Sequence, residues 1–237
     1  MPYRRLPNTD AARIRAMKTA LGKGEELPPT QMAYSPKTII RLQKFLPLFE
    51  HSLQQQRQTM TSQNRKARDY NEVVKKAKLY LTHFVKVMNM AIFRGDLPPE
   101  TRAYFGLATN DLTNPSFKTE NELVNWGKRI IEGEEYRIRK GGSPINNPTI
   151  AVVKVRYKNF IEATKDYQSS ARKSLELTLK TGELRREADD IILLLWNEVE
   201  STYKSLPDER RKCECENYGL VYFYRKNEIT RADSLGL

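Results

Sequence analysis

Residues 97–107 read LPPETRAYFGL, and residues 206–220 read LPDERRKCECENYGL. A Leu-Pro opening, a charged middle, an aromatic residue and a closing Gly-Leu recur about 110 residues apart. Further landmarks keep nearly the same offset. Thr9-Asp10 matches Thr119-Glu120, and Gly24-Glu25-Glu26 matches Gly133-Glu134-Glu135. Pro36 before Thr38-Ile39 matches Pro148 before Thr149-Ile150. Matches in one order at near-constant spacing predict a tandem duplication of one unit.

Each copy reads as helices. The first opens with Asn8, Thr9 and Asp10 as N-cap candidates, then Ala11, Ile14, Met17 and Leu21 at helical spacing, with Gly22 and Gly24 as the stop. The second opens with Thr119-Glu120-Asn121-Glu122, a capping box, followed by Leu123, Trp126 and Ile130, and stops at Gly141-Gly142. A longer stretch follows in each. Ser35-Pro36 introduces Ile39, Leu42, Leu46, Phe49 and Leu53, with Pro47 expected to kink the helix. Asn147-Pro148 introduces Ile150, Val153, Tyr157, Phe160, Tyr167 and Ala171. A third, more apolar stretch carries Val74 to Ile92 in one copy and Leu184 to Val199 in the other.

Residues 48–94 contain no Gly or Pro. Asn71 and Gly182 occupy equivalent places and tolerate the left-handed conformation that ends helices, which predicts a turn there. The 3-4 phase also runs through from Ile39 to Ile92, so one continuous helix per copy is the competing reading. The fold class expected is all-α: an antiparallel bundle of two tandem three-helix units with pseudo-twofold symmetry. Residues 1–116 form the first unit, 117–228 the second, packed with it as one bundle, and 229–237 a flexible tail. The aromatic segments 104–107 and 218–224 are candidates for a short strand pair.

The composition, 39% hydrophobic and 30% charged, suits helices with wide solvated faces. The formal charge is +12 and it is lopsided. Residues 1–117 hold 19 Lys/Arg against 9 Asp/Glu, while 118–237 hold 22 against 20. A cationic excess of this kind attracts polyanions. The only cysteines, Cys213 and Cys215, exclude a disulfide framework and fit a reducing compartment. The N-terminus has no apolar run of the signal-peptide type, and the longest apolar run, Ile191 to Trp196, is far short of a membrane span. The expectation is a cytoplasmic protein without membrane attachment.

The stretch HSLQQQRQTMTSQNRKAR, residues 51–68, has no acid. Its Arg57, Arg65, Lys66 and Arg68, with Lys75, Lys76 and Lys78 beyond, are the candidate nucleic-acid-binding residues. Lys and Arg neutralise phosphates, and Gln and Asn bond sugars or base edges. A solvated helix face reads the same way, and no helix-turn-helix, zinc finger or aromatic RNA-binding motif accompanies the patch.

Catalytic, cofactor and metal candidates are absent from the sequence pattern. Arg137, Arg139 and Lys140 before Gly141-Gly142 lack the strand and the Gly-Lys-Ser/Thr of a phosphate loop, and read as a helix stop. Cys213 and Cys215 lack two further ligands for zinc. His51 and His83 lack the Glu three residues before them that a di-iron bundle uses. Glu187, Asp189 and Asp190 beside Arg185 and Arg186 read as a surface charge mosaic. The terminal aromatics Tyr104, Phe105, Tyr218, Tyr222, Phe223 and Tyr224 read as end caps of the core or a partner-binding patch.

The segments MPYRRLPNTDAARIRAMKTAL (1–21), NPTIAVVKVRY (147–157) and NYGLVYFYRKNE (217–228) together resemble a group of small basic, all-helical bacterial proteins with no assigned activity. The resemblance implies a bacterial cytoplasmic protein and supplies no site residues. The sequence thus leads first to a non-enzymatic helical binding or scaffold protein, with a protein partner or a second copy of itself. The alternative is a sequence-tolerant nucleic-acid binder using the basic N-terminal copy, and a distant third is an enzyme without a recognisable motif.

Overall fold

The computed structural model describes residues 3–28 and 31–223. Its elements are strand β1 (Tyr3–Arg4), helices α1 (Asp10–Glu26) and α2 (Pro36–Phe93), a 3-10 segment (Pro99–Phe105), helices α3 (Glu120–Arg139), α4 (Ile150–Thr202) and α5 (Asp208–Glu216), and strand β2 (Tyr222–Phe223). The protein is mostly helical, and no described helix is long and apolar enough to cross a membrane.

The turns expected at Asn71 and Gly182 are not made. α2 passes unbroken through Asn71, and α4 passes unbroken through Gly182. The continuous 3-4 phase prevails because neither residue is forced out of the helix, and a Cβ at Gly182 would meet nothing within 4 Å. Each copy therefore supplies one short helix and one long one before its exit, which is the 3-10 segment in the first copy and α5 in the second. Pro47 removes one backbone donor from α2, and the helix runs on past it. α1 likewise runs through Gly22 and Gly24. A Cβ at Gly24 would lie 2.5 Å from the Tyr34 hydroxyl, so the glycine is kept for close packing and not for a stop.

Three caps are where the sequence puts them, while α4 begins at Ile150, two residues past the Pro148 expected to open it. Thr9 Oγ1 accepts from the Ala12 amide at 3.2 Å. Thr119 Oγ1 accepts from the Glu122 amide at 3.2 Å while Glu122 accepts from the Thr119 amide at 3.0 Å, closing the capping box. Ser35 Oγ accepts from the Thr38 amide at 3.3 Å, with Pro36 at the first helical position.

The chain folds as two compact units, Met1–Thr59 with Ser174–Leu237, and Met60–Lys173. Each unit draws on both halves of the sequence. In the first, α1 and the start of α2 pack with the end of α4 and with α5. Met17, Leu42, Phe49, Ile191, Leu195, Trp196 and Val199 are fully buried there. Burying each such side chain contributes about 1.5–3 kcal/mol. Charged bonds lock the same unit from outside. Arg185 donates to Asp10 at 2.8 and 2.9 Å and to Gln56 at 3.1 Å. Arg13 donates to Asp189 at 2.7 and 2.9 Å. The charge mosaic of the α4 sequence is thus half of an inter-helix network.

In the second unit, the end of α2 and the 3-10 segment pack with α3 and the start of α4. Ala77, Leu81, Phe84, Met88, Ile130, Val153 and Phe160 form the core. Buried Arg102 donates to the Asn89 side chain and to the Ala108 and Thr113 carbonyls, fastening the loop after the 3-10 segment.

The recurring phrase is the exit from each long helix. Gly106 and Gly219 both adopt the left-handed conformation, φ 68° and 85°. The amides of Leu107 and Leu220 reach back to the Arg102 and Cys215 carbonyls at 3.1 and 3.3 Å. The residue before each glycine, Phe105 or Tyr218, is buried. These helical exits leave no extended backbone at 104–105, so the expected pairing of 104–107 with 218–224 is not made. β2 pairs antiparallel with β1 instead, Tyr3 opposite Phe223 and Arg4 opposite Tyr222. The expected tail, 229–237, and Tyr224 lie outside the described residues.

Two measurements check this account. Gly182→Ala raises Tm by about 1–4 °C, because alanine favours the helix interior and finds open space; a turn at this position would instead make it destabilising. Acid dependence checks the charged network. The bonds from Arg185 come first, with the charges of Arg185, Arg13 and Arg57 behind them, in holding the Asp10 carboxyl below its ordinary 3.8 against the opposing effect of burial. Its contribution is therefore complete above the unfolded pKa and lost as pH falls through the lower folded one. The Tm advantage of the wild type over Asp10→Asn is full at pH 6 and shrinks between about pH 5 and 3. A pH-independent difference contradicts it.

Candidate nucleic-acid interface

Residues 60–93 of α2 belong to the second unit. Their inward side carries buried Tyr70, Ala77, Leu81, Phe84 and Met88. The opposite side follows a 3-4 alternation through Arg65, Arg68, Glu72, Lys75, Leu79, Thr82 and Lys86. That spacing keeps all seven within one narrow stripe of a 3.6-residue helix. Six of the seven are exposed, and exposed Lys76 and His83 border the stripe. From Arg65 to Lys86 the rise is about 31 Å at 1.5 Å per residue. That matches roughly nine base pairs of duplex.

The acids on this side are Glu72 and Asp69. Lys75 bonds Glu72 at 2.9 Å and holds its carboxyl below the ordinary range. Asp69 stands toward α4, in a groove of about 390 Å³ with Lys66, Tyr70, Tyr167 and Ser170. The stripe with Lys76 thus sets five cations against one bonded acid.

The seven residues expected from sequence divide. Arg65, Arg68 and Lys75 come together on the stripe, and Lys76 borders it. Lys66 turns toward α4, where it donates to Ser170 Oγ at 3.3 Å. Lys78 lies on the flank of the helix. Arg57 belongs to the other unit, where its charge acts on Asp10. Lys86 was not among the seven, although the same 3-4 spacing extended past Lys75 reaches it.

The cationic excess is nearly as uneven between the spatial units as between the sequence halves. Met60–Lys173 holds 21 Lys/Arg against 12 Asp/Glu, a net +9, and the other unit 20 against 17. Cations of the +9 unit also stack on rings. Arg156 lies 5.3 Å from the Tyr80 ring centroid and Arg129 5.2 Å from that of Trp126.

The other sequence candidates have plain positions. Arg137 is buried, donating to Glu134 at 2.8 Å twice and to the Ser143 carbonyl. That bond set folds Gly141-Gly142 around a guanidinium and not around a phosphate. Cys213 is exposed, while Cys215 is buried and its thiol pushed up by burial. No group of three or more His, Cys, Asp or Glu that could hold a metal occurs among the described residues. A groove of about 670 Å³ in the first unit is lined by Arg4, Asn197, Glu200, Lys204 and Tyr222 among others. Its polar groups bond each other, Arg4 to Glu200 at 2.9 Å and Tyr222 to Glu200 at 2.8 Å.

Comparison with known protein families, with curated proteins and with solved structures finds no match to any of them.

Proposed function

We propose that this is a non-enzymatic helical protein of the bacterial cytoplasm that holds nucleic acid by its phosphates, without reading sequence, through the outer face of α2 at residues 65–86. The observation that carries the reading is the alignment of Arg65, Arg68, Lys75 and Lys86 on one side of one helix, with Lys76 at its border and Glu72 and Asp69 as the acids on that side. A merely solvated face has no reason to gather one sign of charge over about 31 Å. The stripe has no protruding base-reading element, so phosphate contact is its natural use.

Tandem duplication of one unit supports the same picture of a repeated helical frame with one specialised end. Three correspondences favour it: the caps at Thr9 and Thr119, the left-handed glycines at the exits, Gly106 and Gly219, and two seam contacts. Ser52 meets Thr181 at 3.0 Å in one unit, and Tyr70 meets Thr164 at 3.4 Å in the other. Residues 52 and 164, and 70 and 181, stand at the offset of the repeat. Pseudo-twofold symmetry of the two copies follows from such an origin.

A protein partner, or a second copy of the chain, is the second reading. It is favoured by Leu79, Met90 and Phe93, which are 63%, 57% and 80% exposed on the same helix.

Fluorescence anisotropy with labelled duplex DNA, titrated across salt, tests the proposal. The wild type binds at about 50 mM salt with a log–log slope of several units. Reversing Arg65, Arg68 and Lys86 to Glu removes about 2–3 units of slope. Lys44→Glu and Lys204→Glu, exposed in the other unit, leave it unchanged. Absence of binding at low salt, or a slope indifferent to the triple reversal, overturns the proposal in favour of a protein partner.

A further inference from the structure

We infer that the second unit carries a stacking site for single-stranded nucleic acid, in which Tyr104 and Tyr136 receive bases and Arg139 and Lys140 receive the adjoining phosphates. The inference rests on the nucleic-acid reading and narrows its substrate class.

The site is built by close packing. A Cβ at Gly133 would lie 2.5 Å from the Tyr104 carbonyl oxygen, so the missing side chain lets the 3-10 segment sit directly on α3. This contact sets the Tyr104 ring 5.8 Å from that of Tyr136, tilted by 50°. Both rings are open to solvent, Tyr104 at 39% and Tyr136 at 47%. Lys140 Nζ and the Arg139 guanidinium lie over the Tyr136 ring, 5.6 and 6.0 Å from its centroid, so a base stacking there takes their place and meets them with its phosphate.

Arg139 and Lys140 form no ion pair with a described acid. The acids on the last turns of α3 are engaged elsewhere: Glu132 with Lys128 at 3.9 Å, Glu134 with buried Arg137, and Glu135 with Lys154 at 2.6 Å. Near Tyr104 in sequence stand Asp96, bonded to Arg94 at 2.8 Å, and the exposed Glu100 and Asp111. Cations at a helix C-terminus also complement the helix dipole, but that role needs no exposed aromatic pair beside them. Open rings next to cations suit a base on the ring and its phosphate on the cation. A duplex cannot use the rings, because its base faces are already stacked. A phosphorylated peptide would use the cations and leave the rings idle.

The test compares labelled oligothymidylate with a duplex of matched length, by anisotropy on the full chain at about 100 mM salt. Tyr136→Ala weakens oligothymidylate about tenfold, the loss expected for one stacked base, and leaves duplex binding unchanged. Tyr136→Phe keeps the ring and binds as the wild type does, which separates stacking from a folding defect. Joint replacement of Arg139 and Lys140 by Gln also weakens oligothymidylate. If Tyr136→Ala has no effect, or weakens single strand and duplex equally, the stacking site is overturned while stripe-dependent duplex binding keeps the broader reading. If neither nucleic acid binds, both readings fall together.

Discussion

Everything in this fold depends on α2 and α4 having no break. Residues 48–94 hold neither Gly nor Pro, and the one glycine of α4 sits in helical conformation with open space around it. A helix that cannot turn back cannot cover its own apolar stripe. Its early half must be covered by one set of neighbours and its late half by another. Hence two cores form, each with a short helix, part of α2, part of α4 and an exit segment. A chain that broke at Asn71 and Gly182 would have packed each copy on itself.

That constraint also explains the candidate interface. An unbroken helix gives fixed angular positions to residues far apart in sequence, so cations from Arg65 to Lys86 can share one side without any loop to hold them. The opposite side is anchored by Tyr70, Ala77, Leu81 and Phe84, which fixes the rotation of the helix and so the direction of the stripe. The buried side and the cationic side of α2 are two faces of one periodicity.

Much of this was legible in the residues. The Thr9 and Thr119 caps, the stop at Gly141 and the apolar stripes are local signals, and local physics decided them. The turn at Asn71 and Gly182 was misjudged because tolerance of the left-handed conformation is permission, not compulsion. Of the two roles open to the aromatic segments, covering the helix exit prevails over pairing with each other. The network of Arg13, Asp10, Arg185 and Asp189 could not be read, since 3-4 spacing shows which side of a helix is special but not which helix it meets. The interface was half legible. Of the basic residues the sequence offers, Arg57 lies in the other unit and Lys66 turns toward α4, while helix phase places Lys86 in line with Arg65, Arg68 and Lys75. Tyr104 and Tyr136 were invisible as a pair, because a close approach at Gly133 brings them together across a stretch of loop and helix.

The most direct measurement is photo-cross-linking of the full protein to a single strand carrying a photoreactive thymine, with the cross-linked peptides mapped by mass spectrometry. The account predicts cross-links in two places, the outer face of α2 between residues 65 and 86 and the segment from Tyr136 to Lys140. Cross-links concentrated in α1, α5 or residues 174–202, or none at all, would contradict it.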